Sequence, residues 1–337
     1  MLLARESTIL QILVTRYIAT ALPVSSENIA LSEKLGVSPA TIRNAMARLE
    51  EEGYISRPHV SAGAMPTDKG YRFYIESFSD EGLLPKHEEH AMRQVFCYVG
   101  RGLEEWAYLA TTVLSRRLRH VSLVMMPHST QCHFKHVQLV SVQDITVLLV
   151  LVLKEMKLRR ELMSLINPAS QDELDEVSSK LNTCYAGFTS SGIDRADIDL
   201  SSVEYEVIRN IKRMMEEEDQ QRYHEFYLDG MRHLVAHPEL GAARVARLVE
   251  MLEDRALLGQ VLSQLVKEPG LRVSIGSENP EEALRQCSVV TRRFGVPGGM
   301  EGAIGVIGPT RMPYMQVIPT VNCLSSVMTE SMMELYA

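Results

Sequence analysis

Five polar residues within one short segment have the side chains and the spacing that suit the reading of DNA bases. They are Ser38, Thr41, Arg43, Asn44 and Arg48. An asparagine can form two hydrogen bonds with adenine, an arginine can form two with guanine, and a hydroxyl can reach either a base or a phosphate. We therefore expect Ser38, Thr41 and Asn44 to contact bases, and the two arginines to contact bases or phosphates.

The same segment has the pattern of a capped helix. Ser38 is a good N-cap, Pro39 is tolerated in a first turn, and Gly53 is typical of the residue just after a helix end. Three apolar residues at helical spacing should pack inward on the opposite face: Ile42, Met46 and Leu49. A solvent-exposed surface helix would carry similar polar residues, so this segment alone leaves that alternative open.

The neighbouring segments favour DNA reading over a solvent-exposed face. Apolar spacing predicts a first helix over residues 6–20, and Ser25 or Ser26 can cap a short second helix. After the third helix, the prolines and glycine of residues 58–66 predict a hairpin, and Thr67 can cap a further helix. Two helices joined by a turn and followed by such a wing are the layout of a winged helix-turn-helix DNA reader.

Four further residues are candidate DNA contacts outside the third helix. Arg57, His59 and Ser61 lie in the expected wing, where they could touch phosphates or the minor groove. Lys69 follows the wing, and it could clamp the DNA backbone or simply face solvent. Arg72 has the same two alternatives, and the sequence does not decide between them.

Charge is divided unevenly along the chain of 337 residues, whose formal net charge is −8. Residues 1–75 carry eight Lys/Arg and seven Asp/Glu, a net charge of +1, so the remainder carries −9. A weakly basic head on an acidic body predicts a small DNA footprint and modest affinity for one head. Specific binding should therefore need two heads.

The bulk composition predicts an ordinary globular protein of two or three domains, with 45% hydrophobic and 23% charged residues. No apolar run approaches the ~20 residues of a membrane helix, and the first residues do not resemble a signal peptide. We therefore expect a cytoplasmic protein that binds no membrane. The five cysteines are far apart and form no Cys-x-x-Cys pair, which favours reduced thiols.

The body has the pattern of one sheet interrupted by an insert. A long helix is expected over residues 90–117, and strands over 121–126, 134–142, 145–153 and 158–165. From about 168 to 235 the sequence becomes helical and charged. Strand character returns at 272–275, 288–292 and 303–308, before a last helix that ends near residue 334.

Two segments resemble chemical sites but are better explained without chemistry. His128, Cys132, His133 and His136 cluster in sequence, but a strand would place them on opposite faces, so no metal site is expected. The glycine-rich residues 295–308 lack the Lys-Ser/Thr of a phosphate-binding loop. Arg311, just after them, could anchor a domain contact or an anion. No arrangement of catalytic residues emerges, so we expect neither an enzyme nor a cofactor.

The motifs closely resemble those of a known family. VSPATIRNAMARLEEEGYI, PHVSAGAMPTDKGYRFYIE and, near the end, RVSIGSEN with GAIGVIGPTRMPYMQVIPTV resemble the heat-inducible transcription repressor HrcA. The resemblance implies a homodimeric repressor that binds an inverted repeat called CIRCE, upstream of chaperone operons. It also implies that the GroE chaperonin is a partner that keeps the repressor competent to bind DNA.

The resemblance also implies an α+β architecture of three parts. These are a winged helix domain over residues 1–80, a GAF-like α/β domain over 90–166 and 240–337, and an inserted dimerising α+β domain over 167–239. GAF-like domains elsewhere bind small ligands, so a ligand-sensing winged-helix regulator stays open as an alternative function.

Two positions depart from the pattern of the family. The family usually has an arginine after the Ser-Ala-Gly of the wing, where this chain has Ala64, so we expect one DNA contact at the wing tip to be lost. It usually has glycines in the turn before the second helix, where this chain has residues 20–26 without any. We expect that change to restrict the backbone of the turn.

Overall fold

The computed structural model describes most of the chain and divides it into two compact units. The described residues are 2–31, 36–59, 62–77, 84–97, 102–129, 132–154, 158–196, 198–220, 226–237, 240–266, 270–296 and 300–336. Unit 1 comprises Met1–Met126, Glu225–Phe294 and Gly302–Ala337. Unit 2 comprises Pro127–His224 and Gly295–Glu301.

The first part of unit 1, here called the head, is a winged helix-turn-helix. In chain order its elements are α1 (Ala4–Thr20), α2 (Ser26–Ala30), α3 (Pro39–Glu51), β1 (Ile55–Ser56), β2 (Met65–Pro66) and α4 (Asp68–Glu76). The strands β1 and β2 are antiparallel and form the base of the wing. This arrangement confirms the predicted helix-turn-helix with its following wing.

Local sequence signals set the ends of these helices. The hydroxyl of Ser25 caps α2, that of Ser38 caps α3 and that of Thr67 caps α4, each by accepting a backbone N–H of the first turn. Helix α3 ends at Glu51, with Glu52 as its C-cap. Gly53 then has a φ of +77°, which glycine adopts at little cost.

A single apolar core holds the head together. It includes buried side chains of α1, α2 and α3: Ile9, Leu10, Leu13, Ile29, Ile42, Met46 and Leu49. The three residues predicted to form the inner face of α3 are among them, so that prediction is confirmed. Burial of this face leaves the opposite face of α3 at the surface.

The remaining chain builds the GAF-like part of unit 1 and all of unit 2. In chain order its elements are α5 (Lys86–Cys97), α6 (Leu103–Leu118), β3 (Val121–Ser129), β4 (Phe134–Gln143), β5 (Thr146–Leu153), β6 (Leu158–Ser164), α7 (Gln171–Tyr185), α8 (Ser190–Arg195), α9 (Ser202–Gln220), β7 (Phe226–Asp229), α10 (Met231–Val235), α11 (Ala242–Glu253), α12 (Arg255–Leu265), β8 (Leu271–Ile275), β9 (Cys287–Gly295), β10 (Met300–Pro309) and α13 (Tyr314–Tyr336).

The GAF-like part is built on a five-stranded sheet in the order β7-β3-β10-β9-β8. Its strands come from both sides of a long stretch of sequence, so an interrupted sheet is present, but the expected strands over 134–142, 145–153 and 158–165 do not belong to it. Helices α5 and α6 pack with α13. The single helix expected over residues 90–117 is instead two, because Gly102 has an extended backbone and begins α6 as its N-cap.

Unit 2 is a separate α+β unit with its own core. Its sheet has the order β4-β5-β6, and α7 packs against β4. Alternate residues of β5 are buried with side chains of α7 and α9, among them Val147, Leu149 and Leu151. The expected insert boundary at residue 167 therefore differs from the structure, because β4, β5 and β6 pair with one another and not with the GAF-like sheet.

The turn between α1 and α2 contains one residue in an uncommon backbone conformation. Ala21 has φ +59° and ψ +12°, and its N–H donates to the carbonyl of Tyr17 to close α1. This left-handed conformation costs roughly 1–2 kcal/mol for a residue with a Cβ atom and almost nothing for glycine. The missing glycine noted in the sequence thus falls on a position that favours one.

Replacing this alanine with glycine should therefore stabilise the protein. We expect Ala21→Gly to raise the free energy of unfolding by about 0.5–1 kcal/mol in urea titrations followed by circular dichroism. The matched control is Ala47→Gly, at an exposed position inside α3, which should cost about 1 kcal/mol. Equal losses in both variants would show that the conformation of Ala21 is not strained.

Candidate nucleic-acid interface

The outer face of α3 presents the polar residues that the sequence singled out. Arg43, Asn44 and Arg48 are exposed, and Thr41 is half-buried at the start of the helix. Ala47 lies between Arg43 and Arg48 on this face, and its small side chain does not cover them. The structure therefore brings the predicted residues together on one side of the helix, opposite its buried face.

The first turn of α3 is ordered by two hydroxyl groups. The Thr41 amide donates to Ser38 Oγ over 3.3 Å, and the two hydroxyl oxygens lie 3.0 Å apart. Both hydroxyls keep hydrogen-bonding capacity toward a ligand, since each has a donor and two acceptor lone pairs. Ser38 is exposed, so a base edge or a phosphate can approach it.

Arg43 is held by a weak surface ion pair. Its Nη2 lies 3.2 Å from Glu27 Oε1, and both side chains are more than 60% exposed. The pKa of Glu27 is lowered chiefly by a hydrogen bond from its own backbone amide and by the Ser25 hydroxyl, with Arg43 adding to the effect. Exposed pairs of this kind contribute little stability, so a phosphate can replace Glu27 as the partner of Arg43.

Arg48 has a stronger structural role than the sequence indicated. Its Nη1 lies 3.0 Å from Oε1 of Glu6, whose side chain is only 5% exposed. Glu6 also accepts the Leu3 amide at the start of α1. Arg48 therefore neutralises a buried carboxylate, which no local sequence signal showed because the two residues are far apart in the chain.

The wing places its candidate residues in different environments. Arg57 is mostly buried and pairs with Glu50 over 3.4 Å, whereas His59 is exposed. Ser61 lies outside the described residues. Ala64 is completely buried, and its backbone pairs with that of Val24 through two hydrogen bonds. The expectation that Ala64 lies at an exposed wing tip is therefore wrong, because this position packs the wing on the turn before α2.

The Lys69 ammonium group contacts other residues of the head. Its Nζ donates to the carbonyl of Glu52 over 2.7 Å and lies 4.2 Å from the ring centre of Tyr54. These contacts tie α4 to the end of α3. A phosphate contact by Lys69 would have to share or replace the bond to Glu52.

A cleft in the head includes residues that the sequence analysis did not select. Its volume is about 310 Å³, and it lies between α2, α3 and the wing. Arg43 and Arg57 line it together with Ser25, Ser26 and Gly63. The two serines were recognised only as possible helix caps, although their position at the start of α2 also places them in the same cleft as both arginines.

The other candidate segments are explained by structural contacts among the described residues. Within the described parts of the chain, no three His, Cys, Asp or Glu side chains are arranged to hold a metal ion. Cys132 is buried and its thiol donates to the carbonyl of Met215, while the backbone of His133 forms a bridge with Thr189. The side chain of His128 lies outside the described residues. Arg311 donates to the carbonyl of Ile18, which confirms its expected role in a domain contact.

Among the described helices, none has the length and apolar character needed to cross a membrane.

Comparison with protein families gives two matches that together span most of the chain. Residues 26–56 match a winged helix-turn-helix DNA-binding model, and residues 104–318 match the HrcA protein C-terminal domain. The chain belongs to the HrcA family. The DNA-binding match covers α2, α3 and β1, and α3 carries the exposed polar face.

Full-length relatives agree with this assignment. The heat-inducible transcription repressor HrcA of Dehalococcoides mccartyi is 40% identical over 100% of this chain and 97% of its own length. The HrcA repressor of Herpetosiphon aurantiacus is 34% identical over 98% of this chain and 96% of its own. A crystal structure of a hypothetical protein shares the fold, with a TM-score of 0.59 and 23% identity over 98% of both chains.

The pairing of Arg48 with Glu6 makes a test of this HrcA head possible. Arg48→Met should lower the free energy of unfolding by about 1–2 kcal/mol, because it leaves the buried Glu6 carboxylate without its cationic partner. The double variant Glu6→Gln/Arg48→Met should recover most of the loss in urea titrations. If the double variant is no more stable than the single one, the pair contributes nothing to the head.

Proposed function

We propose that this protein is a dimeric, cytoplasmic repressor of heat-shock operons that binds an inverted-repeat operator of the CIRCE type through two heads. The observation that carries the proposal is the outer face of α3, where Arg43, Asn44 and Arg48 are exposed on a capped helix of a winged helix-turn-helix. Membership of the HrcA family supports the heat-shock role.

The proposed contacts follow the chemistry of each side chain. Ser38, Thr41 and Asn44 contact base edges in the major groove, because the N-terminal half of a recognition helix reaches them first. Arg43 and Arg48 contact bases or phosphates. Residues of the wing and of the start of α4 contact the phosphate backbone of the DNA: Arg57, His59, Ser61 and Lys69.

Charge supports two heads rather than one. Residues 1–75 carry a net charge of +1 and the rest of the chain −9, so each head can neutralise only a few phosphates. An inverted repeat offers two equivalent half-sites to a two-fold symmetric protein. A dimer therefore doubles the contacts without requiring a more basic head.

The outer face of the unit 2 sheet is the surface that we assign to the second copy of the chain. The register aligns Val140, Leu148 and Leu162 in one row across β4, β5 and β6. Leu158 and Leu162 are each 62% exposed, although both are apolar. A contiguous apolar patch of this kind marks an interaction surface, and a two-fold axis lets the same patch serve both copies.

The proposed function is tested by DNA footprinting with the full chain. The operator is a CIRCE-type inverted repeat, and the reactions are run at low salt with and without GroE chaperonin. We expect protection of both half-sites, and stronger protection with chaperonin because the family resemblance implies a positive modulator. Absence of protection under both conditions would contradict the proposal.

One observation favours a second candidate function, in which a small anion regulates DNA binding. A cleft of about 320 Å³ in the GAF-like part is lined by Arg244, Arg247 and Arg285, with Glu282 as the facing carboxylate. Glu282 lies 3.7 Å from Arg247. Thermal-shift titration with phosphate and with small carboxylates tests this candidate, and no stabilisation by either class would remove it.

Asn44 should determine the specificity of each half-site. Asn44→Ala should weaken operator binding by about 1–3 kcal/mol and relax discrimination at one base pair per half-site, since the bidentate amide contact is lost. The measurement is binding to a panel of operators with single substitutions. The matched control Asn28→Ala, exposed on α2, should leave discrimination unchanged. Uniform weakening over the whole panel would make Asn44 a phosphate contact.

Leu162 should be essential for the dimer. Leu162→Glu places two carboxylates at the proposed two-fold interface, so we expect dimer affinity to fall by at least about a hundredfold in sedimentation experiments. Tyr205→Glu is the control, because Tyr205 is 61% exposed on α9 and away from the sheet face. A Leu162→Glu chain that remains dimeric at the wild-type concentration would place the interface elsewhere.

A further inference from the structure

Within unit 1, α4 of the head meets the residues that follow β8 of the GAF-like sheet. Asp68, in the first turn of α4, accepts hydrogen bonds from both the amide and the hydroxyl of Ser277, over 2.8 and 2.7 Å. Gly276 makes this approach possible, because a Cβ atom there would lie 2.3 Å from the Asp68 carboxylate oxygens.

One turn later, Arg72 forms a forked contact with the same segment. Its Nε donates to Glu278 Oε1 over 3.0 Å, and its Nη2 donates both to the other carboxylate oxygen and to the carbonyl of Val273. Glu278 is itself fixed, because it also accepts the amide of Ile275 over 2.9 Å. The planar guanidinium therefore binds a preformed acceptor, which gives the contact a defined geometry.

Two further contacts join the head to the GAF-like part at other points. Tyr71 of α4 and Tyr314 of α13 are both buried, with ring centres 6.0 Å apart. The Tyr314 hydroxyl donates to the carbonyl of Thr310, and it shares a 2.6 Å hydrogen bond with Ser288. Arg311 donates to the carbonyl of Ile18 in α1, so two head helices are held.

This junction, defined by Asp68, Tyr71, Arg72, Ser277, Glu278 and Arg311, does not overlap the proposed DNA contacts. The polar face of α3 carries none of these residues. On α4, Asp68 and Arg72 lie four positions apart and bind the GAF-like part, whereas Lys69 binds the end of α3. A role in reading DNA therefore does not explain the junction.

We propose that Asp68, Arg72 and Arg311 are positioning residues that fix the orientation of the head on the GAF-like part, and that this orientation selects the spacing of the operator half-sites. The proposal rests on the proposed function, because it concerns two heads on one duplex. Directional bonds at several points restrict rotation of the head, which a single apolar contact would not do.

Rigid placement has a measurable consequence for binding. A second head held at the correct orientation binds at high effective concentration, but only when the half-sites match its position. A loosely attached head binds repeats of many spacings, and its affinity for the repeat with the best spacing is lower. The contact between α3 and a single half-site is the same in both cases.

The test compares Arg72→Met with the wild-type full chain on three kinds of DNA. These are a single half-site, the inverted repeat, and repeats whose central spacer is lengthened or shortened by a few base pairs. We expect half-site affinity within about twofold of wild type, and affinity for the best repeat lowered by about tenfold. The preference for one spacing should become nearly flat. A merely structural role of Arg72 would weaken all sites together.

The matched control is Arg93→Met, which removes a forked pair with Glu330 between α5 and α13 and leaves the junction intact. It should keep the wild-type spacing profile. The exchanged pair Arg72→Glu/Glu278→Arg should restore part of the spacing preference. If Arg72→Met does not fold, the conservative Arg72→Lys and Ser277→Ala should each flatten the profile partially, because each removes only some of the junction hydrogen bonds.

The outcomes separate this proposal from the proposed function. A wild-type chain that protects no operator contradicts the proposed function itself. A wild-type chain with a clear spacing preference that Arg72→Met retains overturns the positioning role. Tighter binding of the best repeat by Arg72→Met would also overturn it, because the junction would then hold the head away from DNA.

Discussion

The buried face of α3 is the constraint on which the whole proposed DNA interface depends. Ile42, Met46 and Leu49 are at most 2% exposed. Rotating the helix to present a different polar face would expose these side chains, at about 1.5–3 kcal/mol for each. The direction in which Asn44 and Arg43 point is therefore set by the apolar core of the head, and the polar residues themselves contribute little to it.

The arginines of the head differ in how readily they can bind phosphate. Arg43 shares an exposed pair with Glu27, and that pair is easily exchanged for a phosphate. Arg48 compensates Glu6, which is nearly fully buried, so moving Arg48 onto DNA leaves a carboxylate without its partner. We infer that Arg43 is the more adaptable of these two proposed DNA contacts, although the two side chains are similarly exposed on one helix.

The sequence predicted the features that depend on local rules. The caps at Ser25, Ser38 and Thr67, the inner face of α3 and most strands of the body follow from side-chain type and periodicity. Contacts between distant residues were not predictable, because the partner of Arg48 lies 42 positions earlier and that of Arg72 lies 206 positions later. The burial of Ala64 was missed for the same reason, since it depends on pairing with Val24.

The expected start of the insert at residue 167 differs from the structure for another physical reason. Residues 134–164 have the alternation of a half-buried sheet, and that pattern is the same whichever core covers the sheet. Only the pairing partners show that these strands belong to unit 2. The change to a helical, charged composition near residue 168 marks the passage from β6 to α7 within unit 2. Composition alone therefore placed the boundary after the β4-β5-β6 sheet, whereas the structure places it before that sheet.

A head whose net charge is close to zero, +1 over residues 1–75, cannot obtain specificity from electrostatic attraction alone. Sequence-independent attraction grows with the number of neutralised phosphates, whereas discrimination comes from a few base contacts made in a fixed orientation. A weakly charged head therefore has little affinity for random DNA, and its binding to an operator depends strongly on how its recognition helix is presented. That dependence gives a physical reason for the number of directional bonds between α4 and the segment after β8. The free energy that a second head adds to operator binding is available only to the extent that its orientation is already fixed before DNA is bound.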